Sequence, residues 1–335
     1  MKSIMKLALA GTVALATSAA AWAADFKPAV IYDMGGKFDK SFNEGVFNGI
    51  KRFTDETGVE VMEFEVTNEA QREQAMQRMV QRGATIVLGV GFAQADAIDK
   101  VAGENPDKKF AIIDVSWLDK PNLRQYAFKE HEGSYLVGMA AALASKTGKV
   151  GFVGGMDIPL IRAFACGYVQ GAKAVNGDVE VLQNMTGTTP AAWNDPGKGA
   201  ELTQSQIDRG ADVVYQAAGG TGIGVIRAAA DAGKFSIGVD SNQNHLAPGS
   251  VLTSMLKRVD VAAYQTMKDA MSGNFETGVR TLGLAEGGVG WALDENNKDL
   301  ISDDMKTKID AASADIVAGK VSVHDYRSDN TCPAG

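Results

Sequence analysis

The sequence predicts an α/β protein built of two lobes, each a doubly wound parallel sheet covered by helices. Short apolar runs alternate with amphipathic helical stretches along most of the 335 residues. Near-continuous apolar strands are typical of parallel sheets that are buried on both faces. A chain of more than about 300 residues also exceeds the size at which one core tends to divide into two. Because the alternation occurs in two successive series, we expect two lobes of one architecture.

The first series opens with an apolar strand that ends at Asp33, followed by a helix over 41–57. The start of this helix is predicted by Ser41 and Glu44, which have the spacing of a capping box. Its apolar residues recur at helical spacing. The other predicted elements of this series are strands over 59–66, 85–90 and 109–114, a helix capped by Asn68 and a helix over 92–102.

The second series repeats this rhythm. Asp195 followed by Pro196 indicates a helix that begins with proline at its first position. The predicted helices cover 131–145, 160–175, 196–209 and 221–232, and the predicted strands cover 150–153, 179–185, 212–217 and 235–240. Beyond Asp240 the alternation loosens into strands over 252–256, 281–284 and 289–292 around a helix over 259–271.

The lobe boundary is predicted near residues 128–132, where the second series starts. We interpret the strands over 252–256 and 281–284 as two further passages between lobes, so that three crossing segments form the hinge. The predicted first lobe is therefore 24–128 plus 253–282, and the predicted second lobe is 129–252 plus 283–330.

Residues 1–23 have the pattern of a cleavable secretory signal peptide. Lys2 and Lys6 precede a short apolar run, and Ala21 and Ala23 supply the small residues of a cleavage site. The apolar run is too short to span a membrane, which takes about 20 residues. A cysteine is missing near the cleavage site, so a lipid anchor there is not predicted. We expect an exported, soluble chain that starts near residue 24.

The charge balance and the cysteines narrow the possibilities further. A formal net charge of −8 and the lack of a basic run argue against nucleic acid and anionic membranes as partners. Cys166 and Cys332 could form a disulfide in an oxidising compartment, or one could be buried and the other free. A free exposed thiol is a liability outside the cytoplasm, which favours pairing.

Three strands end in aspartate, at Asp33, Asp114 and Asp240. In doubly wound sheets, ligands bind outside the carboxyl ends of the strands, so these side chains are candidates for facing a cleft. Carboxylates accept hydrogen bonds from hydroxyl and ring N–H groups. The alternative for each is a cap of the following helix or turn.

Aromatic and glycine residues add to the predicted cleft. Phe42, Phe164 and Trp193 lie near loop–helix junctions, where they could stack on a planar ligand; core packing is the alternative for the two phenylalanines. The glycine-rich turn over 219–224, with Gly220, follows a strand and opens a helix. It lacks the lysine of a phosphate-binding P-loop, so we interpret it as a turn that lines the cleft.

Patterns of catalysis are sparse. His131, His245 and His324 are the three histidines, and none has metal-ligand spacing with another. The nucleophile elbow Gly-x-Ser-x-Gly does not occur. We therefore predict no catalytic residue, metal or cofactor, which favours a binding protein over an enzyme.

These residues resemble the basic membrane protein family of ABC-transporter substrate-binding proteins, which includes the purine nucleoside receptors. The most specific match is the segment 33–43, with Asp33, Asp39, Ser41, Phe42 and Asn43. The resemblance extends over about 28–323, and its other matching segments are 132–138, 164–168, 238–243 and 253–257.

The resemblance implies a type I periplasmic binding protein with its ligand in the cleft between lobes. It implies Asp33 and Asn43 beside polar groups of a nucleoside, and Phe42 and Trp193 against its base. Asp240 would meet the base edge, and Asp114 and Lys257 the ribose hydroxyls. It also implies a membrane permease as partner, a periplasmic location and a monomer. Many members of the family are lipoproteins, and this chain lacks the corresponding cysteine.

Other functions stay open at this point. The ligand could instead be a sugar, a free base or an autoinducer-like molecule. A periplasmic enzyme acting on nucleosides is a second alternative, and a sensor subunit that docks on a membrane receptor is a third. A cytoplasmic repressor of similar lobes is disfavoured because a signal peptide stands where a DNA-binding helix pair should be.

Overall fold

The computed structural model describes residues 26–333, so the predicted signal peptide lies outside the described residues. The first lobe contains β1 (Pro28–Tyr32), α1 (Phe42–Thr57), β2 (Met62–Glu65), α2 (Gln71–Gln81), β3 (Ile86–Gly89), α3 (Ala95–Glu104), β4 (Lys109–Ile113) and β5 (Leu123–Phe128). The described residues include no helix that is both long enough and apolar enough to cross a membrane.

The second lobe repeats the pattern with α4 (Glu130–Ala144), β6 (Lys149–Met156), α5 (Pro159–Val175), β7 (Glu180–Gly187), α6 (Pro196–Asp208), β8 (Val213–Ala217), α7 (Gly222–Asp231), β9 (Phe235–Asp240) and β10 (Val251–Lys257). The chain returns to the first lobe with α8 (Val259–Ser272) and β11 (Gly278–Leu282). It ends in the second with β12 (Val289–Trp291) and α9 (Asp303–Val317).

Each lobe contains a six-stranded sheet, and the two sheets share one strand order but differ in the direction of one edge strand. Their strand orders are β11-β5-β4-β3-β1-β2 and β12-β10-β9-β8-β6-β7. All neighbouring pairs are parallel except β10 with β12. The predicted fold of two doubly wound parallel-sheet lobes is confirmed. Position by position, β4 corresponds to β9 and β5 to β10.

The strand cores explain why these segments fold as they do. Every residue of β1, β3 and β8 is buried, as expected for parallel strands covered on both faces. The helices bury one apolar face each; in α1 that face includes Val46, Ile50 and Phe53. Burial at about 25 cal/mol per Å² of apolar surface is the main force that holds each helix on its sheet.

Two elements were not predicted, and one boundary was wrong. Strand β5 and helix α9 escaped the sequence analysis. Residues 253–257, expected in the first lobe, belong to β10 of the second sheet, because the run pairs with β9 through its whole length. The chain therefore passes from the second lobe to the first after Lys257, at the end of β10 and not before this strand as predicted. The other passages lie between β5 and α4 and between β11 and β12.

The pairing of the cysteines, left open by the sequence, is present. Cys166 in α5 and Cys332 in the C-terminal tail form a disulfide, with their Cα atoms 5.6 Å apart. Gln170 of the same helix holds the tail at a second point. Its side chain donates to the carbonyl of His324 at 3.0 Å and accepts from the backbone N–H of His324 at 2.9 Å.

Candidate ligand-binding cavity

A cavity lies between the lobes, at the carboxyl ends of both sheets. Eight of the nine residues predicted for the site line it: Asp33, Phe42, Asn43, Asp114, Phe164, Trp193, Asp240 and Lys257. The other lining residues are Met34, Asp39, Gly91, Phe92, Leu160, Ile161, Ala217, Gly219 and Val239. The mixture of apolar, aromatic and charged walls is typical of a site for a small polar molecule.

Gly220, the ninth predicted residue, does not line the cavity; its neighbour Gly219 does. Gly219 has a φ of 56°, a left-handed conformation that glycine adopts readily, and a Cβ at Gly220 would lie 3.2 Å from the carbonyl oxygen of Trp193. The apolar lining residues that the sequence analysis missed have no sequence signal that distinguishes them from residues of the hydrophobic core. Asp39 could have been found, because aspartate two residues before a helix cap often binds backbone N–H groups.

Asp114 and Asp240 occupy equivalent places in the two lobes, since each stands at the carboxyl end of β4 or β9. Both have left-handed backbone, with φ of 67° and 62°. Such a conformation costs a non-glycine residue of the order of 1–3 kcal/mol, and it is commonest in aspartate and asparagine. The two lobes therefore present a carboxylate to the cavity from strained backbone at matching positions.

Lys257 is the cationic centre of the cavity wall. Its side chain is 2% exposed, and its Nζ lies 2.7 Å from Oδ1 of Asp114 and 3.0 Å from Oε1 of Glu130. Burial alone would lower the pKa of Lys257, but the two carboxylates outweigh burial and raise it above its usual value. The ammonium therefore stays charged at neutral pH. Burial raises the pKa of Asp114 to about 6 despite the attraction of Lys257.

Aromatic rings enclose the Lys257 ammonium. Nζ lies 5.2 Å from the ring centre of Phe42, 5.2 Å from that of Phe128 and 5.6 Å from that of Phe164. Phe164 is almost completely buried, whereas Phe42 is half-buried at the cavity wall. A cation within about 6 Å of a ring face is attracted to it. The rings thus hold the cation and also present apolar surface to a ligand.

The start of α1 is organised differently from the predicted capping box. Asp39 accepts the backbone N–H groups of Ser41, Asn43 and Glu44 at 2.8, 3.0 and 3.1 Å. The Ser41 hydroxyl is therefore free of the cap, and it donates to Oδ2 of Asp240 at 2.5 Å, across the cleft. The helix begins where expected, but Asp39 supplies its cap. Burial raises the pKa of Asp39 to about 6, against those three hydrogen bonds.

Asp33 and Asn43 hold one another in place. The amide oxygen of Asn43 accepts the backbone N–H of Asp33 at 3.2 Å, and its amide nitrogen donates to the carbonyl of Asp33 at 3.4 Å. Arg72 lies 3.5 Å from the carboxylate of Asp33. Burial raises the pKa of Asp33, and Arg72 opposes that rise. Gly91 gives this carboxylate its room, since a Cβ there would lie 2.9 Å from Asp33 Oδ2.

Trp193 forms the wall contributed by the loop between β7 and α6. Its ring lies so close to Gly155 that a Cβ at that glycine would be 2.1 Å from the ring. Gly35 and Gly219 also lie near this residue, where a Cβ would be 3.7 Å from the Trp193 Cβ and 3.5 Å from its carbonyl oxygen. The missing side chain at Gly155 is therefore what makes room for the indole. Trp193 is half-buried, and it packs on the edge of the main core while its ring lines the cavity.

The lobes contact each other directly beside the cavity. Besides the bond from Ser41 to Asp240, the Ser241 hydroxyl donates to the carbonyl of Ser41 at 3.1 Å, and the Gln243 amide donates to the carbonyl of Lys40 at 2.8 Å. The structure is therefore that of lobes closed on the cavity. Hinged closure between lobes is the usual way in which such a cleft buries a ligand.

The cavity has the chemistry of a binding site. Its carboxylates accept hydrogen bonds, Lys257 and the Asn43 amide donate them, and the rings bury a planar group. Among residues 26–333, no group of three or more His, Cys, Asp or Glu side chains is placed to hold a metal ion.

Known proteins resemble this chain in sequence and in fold. The family model described as "Bmp: ABC transporter substrate-binding protein PnrA-like" matches residues 26–326. The ABC transporter nucleoside-binding protein BmpA of Lactococcus lactis is 32% identical over 321 residues, which cover 89% of each chain. Basic membrane protein A of Borreliella afzelii is 33% identical over 304 residues, covering 88% of this chain and 91% of its own.

A solved structure shows the same fold. The solute-binding protein of an ABC transporter system from Aeropyrum pernix K1 superposes with a TM-score of 0.83 at 29% identity, covering 91% of this chain and 95% of its own. Membership of this family implies a small-molecule ligand and a permease as partner. From the match over most of its length, the chain belongs to the Bmp family of PnrA-like ABC transporter substrate-binding proteins.

Proposed function

We propose that this protein binds a nucleoside, with preference for purines, in the cavity between its lobes and delivers it to the permease of an ABC importer. The observation that carries the proposal is the pairing of aromatic walls with a buried lysine–carboxylate pair in one closed cavity. A nucleoside has both parts: a planar base for the rings and a ribose whose hydroxyls suit Lys257 and Asp114. The name of the Lactococcus lactis relative also supports a nucleoside.

The proposal assigns roles to individual residues of the cavity. Phe42 and Trp193 border the space for the base, and Asp240 is the acceptor for its N–H groups. Asp33 and Asn43 face the remaining polar groups. Asp114 accepts from a ribose hydroxyl while Lys257 donates to one. Each carboxylate that is desolvated in the cavity needs such donors, because a buried charge without partners is costly.

The cavity is poor in cations, which favours a nucleoside over a nucleotide. Four aspartates line it, and the lysine among the lining residues already has two carboxylates as partners. Among the described residues that line the cavity, no free cation would offset these negative charges for a phosphate. We also propose that the chain is exported by its first 23 residues and works in the periplasm as a monomer, where the acidic net charge favours solubility.

The test is ligand binding to protein that has been unfolded, stripped of ligand and refolded. Guanosine, adenosine, uridine, ribose and adenine are compared by calorimetry and by thermal shift. A ligand at 100 times its Kd stabilises the folded state by about 2.7 kcal/mol, which raises the melting temperature of a chain this size by roughly 5 °C or more. We expect purine nucleosides to give the largest shift.

Other results would overturn parts of the proposal. Binding of ribose or a sugar alone would contradict the role of the aromatic walls, and binding of adenine alone would contradict the role of Lys257. Release of free base during incubation would indicate an enzyme. If the purified protein binds a nucleoside but cells that lack the protein still take that nucleoside up normally, a sensor role is favoured over a transport role.

A further inference from the structure

Glu130 lies at the first passage between the lobes, directly after β5, and its carboxylate is completely buried. Its Oε1 is 3.0 Å from Nζ of Lys257, and its Oε2 is 2.9 Å from Nη1 of Arg327. Within the described residues, these two cations are its ion-pair partners. Glu130 therefore connects the cavity lysine to a residue of the C-terminal tail that does not line the cavity.

Arg327 is held in a fixed orientation on the other side of Glu130. Its Nη2 donates to the carbonyl of Phe128 at 2.9 Å, and its guanidinium binds both oxygens of Asp325. Phe128 is itself one of the three rings around the Lys257 ammonium. The guanidinium of Arg327 thus binds both the carboxylate of Glu130 and the backbone at the end of strand β5.

The tail that carries Arg327 is attached to α5 on both sides of this residue. Gln170 pairs with the backbone of His324, three residues before Arg327, and the disulfide joins Cys332, five residues after it, to Cys166. Helix α5 also contributes Phe164 and Ile161 to the cavity wall. The tail is therefore fixed to the same helix that forms part of the site.

We propose that Arg327 is a positioning residue for the binding site: by neutralising Glu130 it keeps the ammonium of Lys257 paired with Asp114 and directed to the cavity. With Arg327 present, the carboxylates of Glu130 and Asp114 share two cations, Arg327 and Lys257. Without it, Glu130 and Asp114 compete for one ammonium, and Glu130, with no other cation, draws Lys257 away from the ligand.

The effect on ligand rests on the proposed function, since it assumes that Lys257 binds ribose. The test therefore has one readout that needs no ligand. In a ¹H–¹⁵N spectrum of the lysine ammonium groups, the Lys257 signal is assigned by its loss in Lys257→Met. Arg327→Gln is expected to move this signal, because the carboxylates around the ammonium change. Lys320→Gln, an exposed charge on the same tail, is the matched control and is expected to leave it unchanged.

The second readout is the guanosine Kd by calorimetry. Arg327→Gln is expected to weaken binding at least about tenfold, since a buried charge is left without its partner, and Arg327→Lys is expected to recover most of the loss. In the double variant Glu130→Gln, Arg327→Gln, the competing carboxylate is gone, so binding is expected to be tighter than in Arg327→Gln alone. That non-additivity separates action through Glu130 from a general structural effect.

The results that overturn the inference are clear. A folded Arg327→Gln protein with an unchanged Lys257 signal refutes it, whatever the ligand. If Arg327→Gln does not fold, Asp325→Asn, which loosens the guanidinium but keeps its charge, must move the signal in a smaller step; no movement refutes the inference. If the wild type binds no nucleoside, the proposed function fails while the spectrum still decides the role of Arg327.

Discussion

At the scale of single residues, the cavity contains aspartates whose pKa is raised by burial. Asp240, Asp114 and Asp39 are all buried at the cavity, and burial raises the pKa of each to about 6. Asp240 also keeps partners that oppose this rise, namely Lys257 and the Ser41 hydroxyl. A group that titrates near pH 6 gives the site a pH dependence in the physiological range.

We predict that guanosine binding weakens as the pH falls through 6. A ligand N–H group binds the ionised form of Asp240, so protonation competes with the ligand. For one carboxylate with a pKa of about 6, the affinity is expected to fall about tenfold between pH 7 and pH 5. The measurement is calorimetry across that range.

The variant Asp240→Asn separates this residue from the other two carboxylates. Asparagine tolerates the left-handed backbone, so the fold is kept, but affinity is expected to be lower and its pH dependence shallower. Asp231→Asn, on the exposed end of α7, is the control. A pH dependence identical in wild type and Asp240→Asn would show that the ligand does not bind this carboxylate.

The ligand-free protein should show the opposite trend at this residue. A folded-state pKa of about 6 lies above the ordinary value of 3.8, so the folded state takes up a proton between these pH values. The contribution of Asp240 to the free energy of unfolding is therefore lost as the pH rises from about 4 to 6. Ligand-free Asp240→Asn is expected to become more stable relative to wild type over that window.

At the scale of elements, the second lobe depends on one close helix pair. Helices α4 and α5 touch backbone to backbone through glycines. A Cβ on Gly171 would lie 1.9 Å from the carbonyl oxygen of Tyr135, and a Cβ on Gly138 would lie 2.2 Å from that of Tyr168. Helix α4 begins with Glu130 and α5 carries Phe164, so their separation sets one wall of the cavity.

We predict that Gly171→Ala destabilises the protein by about 1–3 kcal/mol, because the new methyl group must push the helices apart. The matched control is Gly177→Ala, in the loop after α5, where a Cβ meets nothing within 4 Å. Denaturant unfolding of both variants measures the difference. Equal stability of the two would mean that the helices separate without cost.

The elements that sequence analysis missed have physical reasons. Strand β5 contains Arg124 and Gln125, which break the apolar pattern, yet both are buried. Arg124 donates to Asp269 of α8 at 2.7 Å and to the carbonyl of Glu276 at 2.7 Å. These partners are about 150 residues away in sequence, so no local pattern could reveal them. Helix α9 buries few side chains, which leaves a weak periodicity.

The candidate site was more predictable than these elements. Strand ends in a doubly wound sheet converge, so Asp114 and Asp240 follow from the apolar runs before them. The sequence did not predict that Asp39, and not Ser41, caps α1, because the hydrogen-bond partner of the Ser41 hydroxyl, Asp240, lies in the other lobe. Contacts made across the cleft are invisible to patterns that extend along one helix or strand.

At the scale of the whole molecule, the two lobes contact each other directly beside the cavity. Three hydrogen bonds join residues 40 and 41 of the first lobe to Asp240, Ser241 and Gln243 of the second. Asp240 lines the cavity as well, but Ser241 does not. Ser241 therefore offers a way to change lobe closure without changing the surface that meets the ligand.

We predict that Ser241→Ala weakens guanosine binding by about twofold to tenfold. The lost hydrogen bond to the carbonyl of Ser41 is worth about 0.5–1.5 kcal/mol, and it exists in the closed form. The apparent Kd scales inversely with the fraction of protein in the closed form. When the open form predominates, losing this hydrogen bond makes closure less favourable, and the apparent affinity for the ligand falls by the corresponding factor. Ser272→Ala, whose hydroxyl bonds within its own helix end, is the control and should bind as the wild type does.

Small-angle scattering with and without guanosine distinguishes the two ways in which this prediction could fail. If the ligand-free wild type is already as compact as the complex, the closed form predominates, and removing one bond should hardly change affinity. If the ligand-free protein is extended and Ser241→Ala still binds as tightly, the contact is not made in the closed complex. A weaker affinity together with an extended ligand-free form would establish that these bonds, formed between lobes, contribute to ligand binding without touching the ligand.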